Sequence, residues 1–254
     1  MTDTERAIPA YDRIGTHYAR ERQTDPRLAR PLHEALGTGR LLNVGAGTGS
    51  YEPTDRPVVA LDSSAVMIAQ RPTSAAPVVQ GVAEALPFGD RSFDVVMSIL
   101  SVHHWTDPAV GLGELARVAP RRVVLTFDPE VHGFTWLMDY LPETKEPGRP
   151  QAPSIAEITD RIEGVAVIVL PVPWDCVDGM TVAYWRRPEA YLDHRTHAGS
   201  SWLRQIDKAV LRSGLDKLES DLRDGRWQER YGHLLDLEEI DCGLRIVIGQ
   251  ASDT

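Results

Sequence analysis

The sequence predicts an α/β protein built on an open, mostly parallel sheet, and three observations carry that expectation. The apolar run Leu41-Leu42-Asn43-Val44 stops abruptly in glycines at positions 45, 47 and 49, as a strand does when it delivers bare backbone to a ligand. Short apolar runs of strand length then alternate with stretches whose apolar residues recur at helical spacing, which is the signature of strand-helix-strand units. The run Phe93 to Leu100 is near-continuously apolar, as expected of a strand buried on both faces. With 254 residues the chain can form one large domain, or a core with a small cap.

Taken in order, residues 5–20 place Tyr11, Ile14 and Tyr18 at helical spacing, and Asp25-Pro26 reads as an N-cap followed by proline at the first helical position. This helix is expected to run to Leu36, with Gly37 as its stop. The first strand ends in Gly45, Gly47 and Gly49, a G-x-G-x-G spacing. The dinucleotide fingerprint needs a further glycine at position 50, where the chain has Ser50. Only eight residues separate Gly49 from Val58, and Pro53 and Pro57 are among them, so the connecting helix is expected to shrink to about one turn. The second strand, Val58 to Leu61, ends in Asp62, 17 positions after Gly45. An acid at that strand tip is placed to bind ribose hydroxyls.

Ser63-Ser64 can cap a helix through Gln70, and Val78-Val79 is a short third strand leading into Gly81-Val82-Ala83-Glu84-Ala85-Leu86-Pro87-Phe88. The fourth strand, Phe93 to Leu100, opens at Ser101-Val102-His103-His104-Trp105. Asp107-Pro108 starts a helix with an apolar stripe of Leu112, Leu115, Ala116 and Ala119. Arg122 to Asp128 is the fifth strand, and topology brings Asp62, Asp128 and the histidine pair to one crevice outside the strand ends. A short helix from Gly133 carries Phe134, Trp136, Leu137 and Tyr140, and Pro142, Pro147, Pro150 and Pro153 punctuate the loop after it. Ser154 with Glu157 forms a capping-box pattern opening a helix to about Ile162. Val165 to Val172 is the sixth strand and Leu244 to Ile248 the seventh.

Between those two strands, Asp178 to Asp241 reads as helical, with Leu203/Ile206/Val210 and Leu211/Leu215/Leu218/Leu222 at helix spacing. A hairpin needs only a few residues there. The expected organisation is therefore a core of residues 1–177 and 242–254 with a helical cap at 178–241. Trp174, Tyr184, Trp185, Tyr191, Trp202, Trp227 and Tyr231 fall in or just before this insertion, either as its own core or as walls of a substrate pocket.

The glycine loop, the acid at position 62 and the Phe93-Asp94-Val95-Val96 strand, in that order, resemble the class I S-adenosylmethionine-dependent methyltransferases. The likeness is greatest to the small-molecule branch typified by the ubiquinone and menaquinone C-methyltransferases, over about Tyr11 to Asp128. The resemblance implies a Rossmann-like, seven-stranded sheet whose last strand is antiparallel, and S-adenosyl-L-methionine as cofactor. It implies that Gly45, Ala46, Gly47 and Gly49 receive the cofactor's amino-acid end and Asp62 its ribose, with Ser63 and Met67 as further cofactor-binding residues. Ala83, Glu84 and Leu100 would lie toward the adenine and the methyl. Many relatives carry an acid at the position of Val82, so backbone near Ala83 or the Glu84 carboxylate would have to substitute. Tyr11 and Tyr18 resemble the helix that closes over the cofactor, or they pack that helix on the sheet. Glu52 either meets the cofactor's ammonium group or faces solvent.

Composition narrows the partners. A formal charge of −10 opposes a nucleic acid, whose affinity comes largely from Lys and Arg neutralising phosphates. Two cysteines, Cys176 and Cys242, are too few for a disulfide framework or zinc site, so a cytoplasmic, reducing setting is expected. No signal core or run of 18 apolar residues occurs, which points to no membrane partner. His194 and His197, three apart beside Asp193, read as surface residues, and no metal is expected. The expected partner is a small-molecule methyl acceptor, with the protein a monomer or homodimer.

Methyl transfer is an in-line displacement, so positioning and exclusion of water are the main demands on the enzyme. A base is needed only for a protonated nucleophile. His103 and His104 leave the fourth strand beside the expected methyl position and are the candidate catalytic residues; their alternative role is to hold the loop. Two other readings share the same cofactor site: a cyclisation or elimination that uses the sulphonium charge, and a non-catalytic binding protein.

Overall fold

Helix α1 (Pro26–Leu36) begins where Asp25 accepts a hydrogen bond from the Arg27 N–H and Pro26 supplies a preset φ, and it ends at Gly37 with φ 67°. Leu28, Leu32 and Leu36 form its buried stripe; each such side chain removed from water is worth about 1.5–3 kcal/mol. The structure is a computed structural model that describes residues 12, 22–131, 135–141, 152–200 and 202–251. Tyr11, Tyr18, Gly133, Phe134, Pro142, Pro147 and Pro150, named in the sequence expectations, lie outside the described residues.

The sheet contains β1 (Leu41–Val44), β2 (Val58–Asp62), β3 (Val78–Gln80), β4 (Val95–Ile99), β5 (Arg121–Phe127), β6 (Gly164–Val169) and a last strand. Between β6 and that last strand, β7 (Val172–Pro173) and β8 (Glu239–Ile240) form a separate two-stranded pair; β9 (Leu244–Gln250) completes the seven. The order is β3-β2-β1-β4-β5-β9-β6, and β9 is antiparallel to both its neighbours. Register pairs Asn43 with Ala60 on one side and Met97 on the other, so Val44, Asp62 and Ile99 finish at the same edge.

Successive residues point to opposite faces, and two apolar clusters result. Leu41, Val95, Met97, Val123, Leu125 and Ile246 face α1 and the aromatic residues of the later chain. Leu42, Val44, Val96, Val124 and Val247 face the other way, against side chains of two helices. Those helices follow in the chain after α2 (Ala65–Ala69): α3 (Pro108–Val118) supplies Leu112 and Leu115. Then α4 (Thr135–Met138) precedes α5 (Ile155–Arg161), which supplies Ile158 and opens with the expected Ser154/Glu157 capping box.

Three elements differ from expectation. No helical turn follows Gly49; the chain closes two tight turns, Gly49 N–H to Ala46 O and Glu52 N–H to Gly49 O, because the two prolines and short span leave no room for a helix. The sixth strand stops at Val169 and not at Val172. Leu170 still donates to Leu244 O, but Pro171 has no N–H, and Val172–Pro173 turns away to pair with Ile240 and Glu239. The stripe Leu203/Ile206/Val210 is not one helix. Leu203–Gln205 is a single 3₁₀ turn, after which Asp207 caps a new helix by accepting from Ala209 and Val210 N–H groups. Helices α6 (His194–Ala198), α7 (Lys208–Arg223) and α8 (Arg226–Tyr231) are the α-helical part of residues 178–241, with 3₁₀ turns at Thr181–Tyr184, Pro188–Leu192 and Gly232–Asp236.

Candidate functional site

A pocket opens over the C-terminal ends of β1, β2 and β4. Gly45, Ala46, Gly47, Asp62, Ser63, Met67, Ala83, Glu84, Leu100 and His104 line it; of the other sequence candidates, Gly49 and His103 do not, and Tyr11 and Tyr18 are outside the described residues. The walls also include Tyr51, which the short connection after Gly49 was expected to bring close to the cofactor's amino-acid end, and Arg22, Asn43, Ser50, Ser101 and Trp105, which sequence reasoning did not select.

The glycine loop is built by close approach. Gly45 and Gly47 have φ of 72° and 52°, and a Cβ at Gly45 would lie 1.8 Å from Ser101 Oγ. Ser101 is itself fixed by the Trp105 indole, whose Nε1 donates to its hydroxyl at 3.0 Å. Gly49 acts from behind: a Cβ there would meet the Glu52 carboxylate and the Arg71 guanidinium. Two non-glycine pocket residues, Tyr51 and Leu100, also have positive φ, 65° and 49°. Held strain of this kind clusters where a chain must aim backbone at a ligand.

Asp62 is buried, and its carboxylate accepts from Gly47 N–H at 2.7 Å and Ser64 N–H at 2.8 Å. Burial pushes its pKa up, while those two N–H bonds pull against the rise. An ionised carboxylate has about four acceptor sites, so it can still take ribose hydroxyls. Ser64 caps α2 by accepting from Met67 N–H, and its hydroxyl donates to Asp12, which also accepts from Val66 N–H at 3.3 Å.

Glu52 neither lines the pocket nor faces solvent. It forms a buried ion pair with Arg71 at 2.7 Å and accepts from Asn43 Nδ2 at 2.9 Å, while Arg71 also donates to the carbonyls of Gly47 and Ala76. The pair clamps the glycine loop from beneath. Asn43 Oδ1 is buried and has no partner among the described residues.

On the opposite wall, α3 grips the Gly81–Phe88 loop: Glu114 accepts from Leu86 N–H, and Arg117 donates to the carbonyls of Leu86 and Phe88. Glu84 accepts through one oxygen from the N–H groups of Thr106 and Asp107, fixing the loop that carries the histidines. Val82 stands at the pocket wall, 48% exposed. His103 and His104 share the 3₁₀ turn Val102–His104 with ring centroids 3.9 Å apart.

The convergence expected for Asp128 does not occur. It accepts from Glu130 N–H and pairs with buried Arg245 at 3.7 Å, away from the pocket lining. The antiparallel strand brings Arg245 beside it; that guanidinium hydrogen-bonds the Asp241 carboxylate through both Nη atoms, and Asp128 is its second, longer ion-pair partner. The tryptophans and tyrosines of residues 178–241 do not line the pocket either: Trp185, Tyr191 and Trp227 are buried with Trp136, in edge-to-face contacts of 5.4 Å from Trp136 to Tyr191 and to Trp227. Among the described residues no group of three or more His, Cys, Asp or Glu could hold a metal, and no helix is long and apolar enough to cross a membrane.

Comparison with known proteins follows the same outline. The Methyltransferase domain family matches residues 42–126, from β1 through β5. A malonyl-[acyl-carrier protein] O-methyltransferase of Enterobacter lignolyticus is 31% identical over 58% of this chain and 60% of its own length. A demethylmenaquinone methyltransferase of Renibacterium salmoninarum is 38% identical over 36% of this chain and 43% of its own. The chain thus spans less than two thirds of the curated relatives it matches. The crystal structure of a candidate methyltransferase from an antibiotic biosynthesis pathway of Anabaena variabilis superimposes with a TM-score of 0.83 at 31% identity, covering 91% of this chain and 99% of that one. A likeness this long, carried through the insertion as well as the sheet, goes beyond a shared fold, and the chain belongs to the class I S-adenosylmethionine-dependent methyltransferases.

Proposed function

We propose that the chain binds S-adenosylmethionine in the pocket over β1, β2 and β4 and transfers its methyl group to a small organic acceptor. The single observation that carries this is Asp62: a buried carboxylate at the tip of β2, held on the glycine loop by Gly47 N–H and lining the pocket with acceptor sites to spare. The fit of the cofactor is supported by the bare backbone at Gly45 and Gly47, which lines the pocket beside Asn43, whose buried Oδ1 has no partner among the described residues.

When bound, the cofactor supplies an electrophilic methyl on a sulphonium. The chain's own part is to hold it by the glycine loop, with Asp62, Ser63 and Met67 on the ribose side and Ala83 toward the base. Glu84 acts by fixing the Thr106–Asp107 backbone, so the nearby backbone is the better candidate for the adenine edge. His104, on the pocket wall, is the candidate base for a hydroxyl or amine acceptor, and Leu100 braces the turn that presents it. Residues 178–241 are proposed as an added helical unit on the acceptor side of a core formed by 1–177 and 242–254. A small acceptor is favoured over a nucleic acid by the charge of −10. A cytoplasmic location and a monomer or homodimer complete the reading.

Calorimetry with S-adenosylhomocysteine tests it. Asp62→Ala should weaken binding more than tenfold, because charge-assisted hydrogen bonds are worth roughly 1.5–3 kcal/mol each. Unchanged affinity in that variant, or preference for NAD, would refute the site. Transfer of radiolabelled methyl to small molecules of a cell extract separates a methyltransferase from a protein that uses the same cofactor otherwise.

A further inference from the structure

Asp178, the first residue of the inserted segment, is fully buried and reaches back across the molecule to the pocket. It accepts from the Arg22 guanidinium through Nε and, at 3.1 Å, through Nη2, and from the Tyr51 hydroxyl at 2.9 Å. Arg22 and Tyr51 both line the pocket, on the side of the glycine loop. Tyr51 is the residue whose left-handed backbone ends that loop, and its peptide is fixed on both sides: its N–H donates to Thr24 Oγ1 at 3.0 Å, and its carbonyl contacts His33 Nε2 at 3.0 Å. Burial and the neighbouring Asp178 carboxylate push the Tyr51 phenol well above its ordinary range, so it remains a donor.

A buried ion pair is a weak source of stability, because desolvation offsets most of the attraction. A pair of this kind does define direction, and here the two residues that donate to the carboxylate, Arg22 and Tyr51, both line the pocket. We propose that Asp178 is a positioning residue for the cofactor: by orienting Arg22 and Tyr51 it sets the shape of the glycine loop's far wall and makes cofactor affinity depend on the segment that follows β7. The inference rests on the reading of the pocket as the S-adenosylmethionine site. It gives residues 178–241 a role at the cofactor end, reached through one side chain and not through an aromatic wall.

The test is S-adenosylhomocysteine affinity by calorimetry, with thermal melting in parallel, for the full chain and for Asp178→Asn, Asp178→Glu and Tyr51→Phe. Asp178→Asn keeps the shape but loses the charge and one acceptor, and should raise Kd at least about tenfold. In turnover it should raise the cofactor KM and leave kcat at saturation little changed. Asp178→Glu should recover part of the affinity. Tyr51→Phe should raise Kd about threefold and act non-additively with Asp178→Asn. Unchanged Kd in both single variants, with only a lower melting temperature, overturns the proposal and leaves Asp178 structural. If Asp178→Asn shows no cooperative melt, Tyr51→Phe decides: weaker binding supports the proposal and equal binding overturns it. Failure of the wild-type chain to bind S-adenosylhomocysteine would overturn the reading of the pocket, and this inference with it; binding by the wild type with both variants unaltered overturns the inference alone.

Discussion

Buried side chains at the ends of β1 and β2 are polar, whereas those gathered around Trp136 are aromatic, and the two kinds of burial do different work. Asn43, Glu52, Asp62 and Arg71 bond mainly to one another and to the glycine-loop backbone, so their burial fixes the shape of a concave surface. Trp136, Trp185, Tyr191 and Trp227 bury large areas and make few hydrogen bonds: Trp136 donates to the Trp185 carbonyl, Trp185 to Val172, and Trp227 Nε1 has no partner among the described residues. The first region should govern affinity and the second stability.

The sharpest way to break that comparison is Trp227→Ala. It should cost about 3–5 kcal/mol in denaturant unfolding while the folded fraction keeps its S-adenosylhomocysteine affinity. Trp227→Phe should cost much less, since the indole N–H has no bond to lose among the described residues. A Trp227→Ala chain of normal stability and poor affinity would reverse the assignment of the two regions.

Next comes His104→Gln, expected to lower turnover about 10²-fold or more with little change in cofactor affinity. His103→Gln should have a much smaller effect, because only His104 reaches the pocket wall. With His104 as base, the wild-type rate falls on the acidic side, since only the neutral imidazole accepts a proton. A pH profile identical in the His104→Gln variant would leave the histidines as loop supports.

Gly45→Ala follows. The residue's φ of 72° and the approach to Ser101 make any Cβ there strained, at about 1–2 kcal/mol for the backbone alone, and S-adenosylhomocysteine should bind at least about tenfold more weakly. Reducing Ser101 to Gly in the same chain should return part of the affinity.

The smallest effect belongs to Asp25, at the helix start. The Arg27 guanidinium beside it holds its carboxyl at about 2, below the usual 3.8, with help from the N–H groups of Val177 and Arg27. A carboxyl depressed in the folded state stabilises above pH 3.8, and that contribution is lost as pH falls from about 4 through about 2. Asp25→Asn should therefore lower stability at pH 7 by about 1 kcal/mol, because solvent screens the half-exposed Arg27, and flatten unfolding across that acid window, with cofactor affinity unmoved.

How much of this could be read from the chain depends on whether a feature is local. Gly45, Gly47 and Asp62 were legible because a strand followed by its loop is a contiguous pattern, and the helix caps at Asp25, Ser64, Asp107 and Ser154 are fixed by neighbours two or three residues away. Arg22 and Asp178 were not legible: they lie 156 positions apart, and an ion pair of that span leaves no periodicity. Glu52 failed for a related reason, since Arg71, its partner, arrives from α2's far end. The aromatic residues announced burial but not what they would bury against, because large size gives no direction. Topology places Asp128 at the correct edge, yet it lies beside Arg245 and Asp241 and not in the pocket lining, and the antiparallel register that brings β9 there is a long-range fact.

The tight turns after Gly49 carry a consequence for the electrostatic potential inside the pocket. An α-helix starting there would aim roughly half a unit of positive charge at the ligand, which is how dinucleotide folds hold a pyrophosphate. Here the chain turns through Glu52 and supplies no macrodipole at that point; the ion pair beneath the loop sums to zero as well. The loop backbone thus contributes short-range N–H dipoles only, and the charge set against it is the Asp62 carboxylate. Such a field offers little to a dianion and is compatible with a zwitterionic amino-acid head whose own charges nearly cancel. Discrimination between two adenosine-bearing ligands would then arise from the length of one connection, through a charge the shortened loop never acquires.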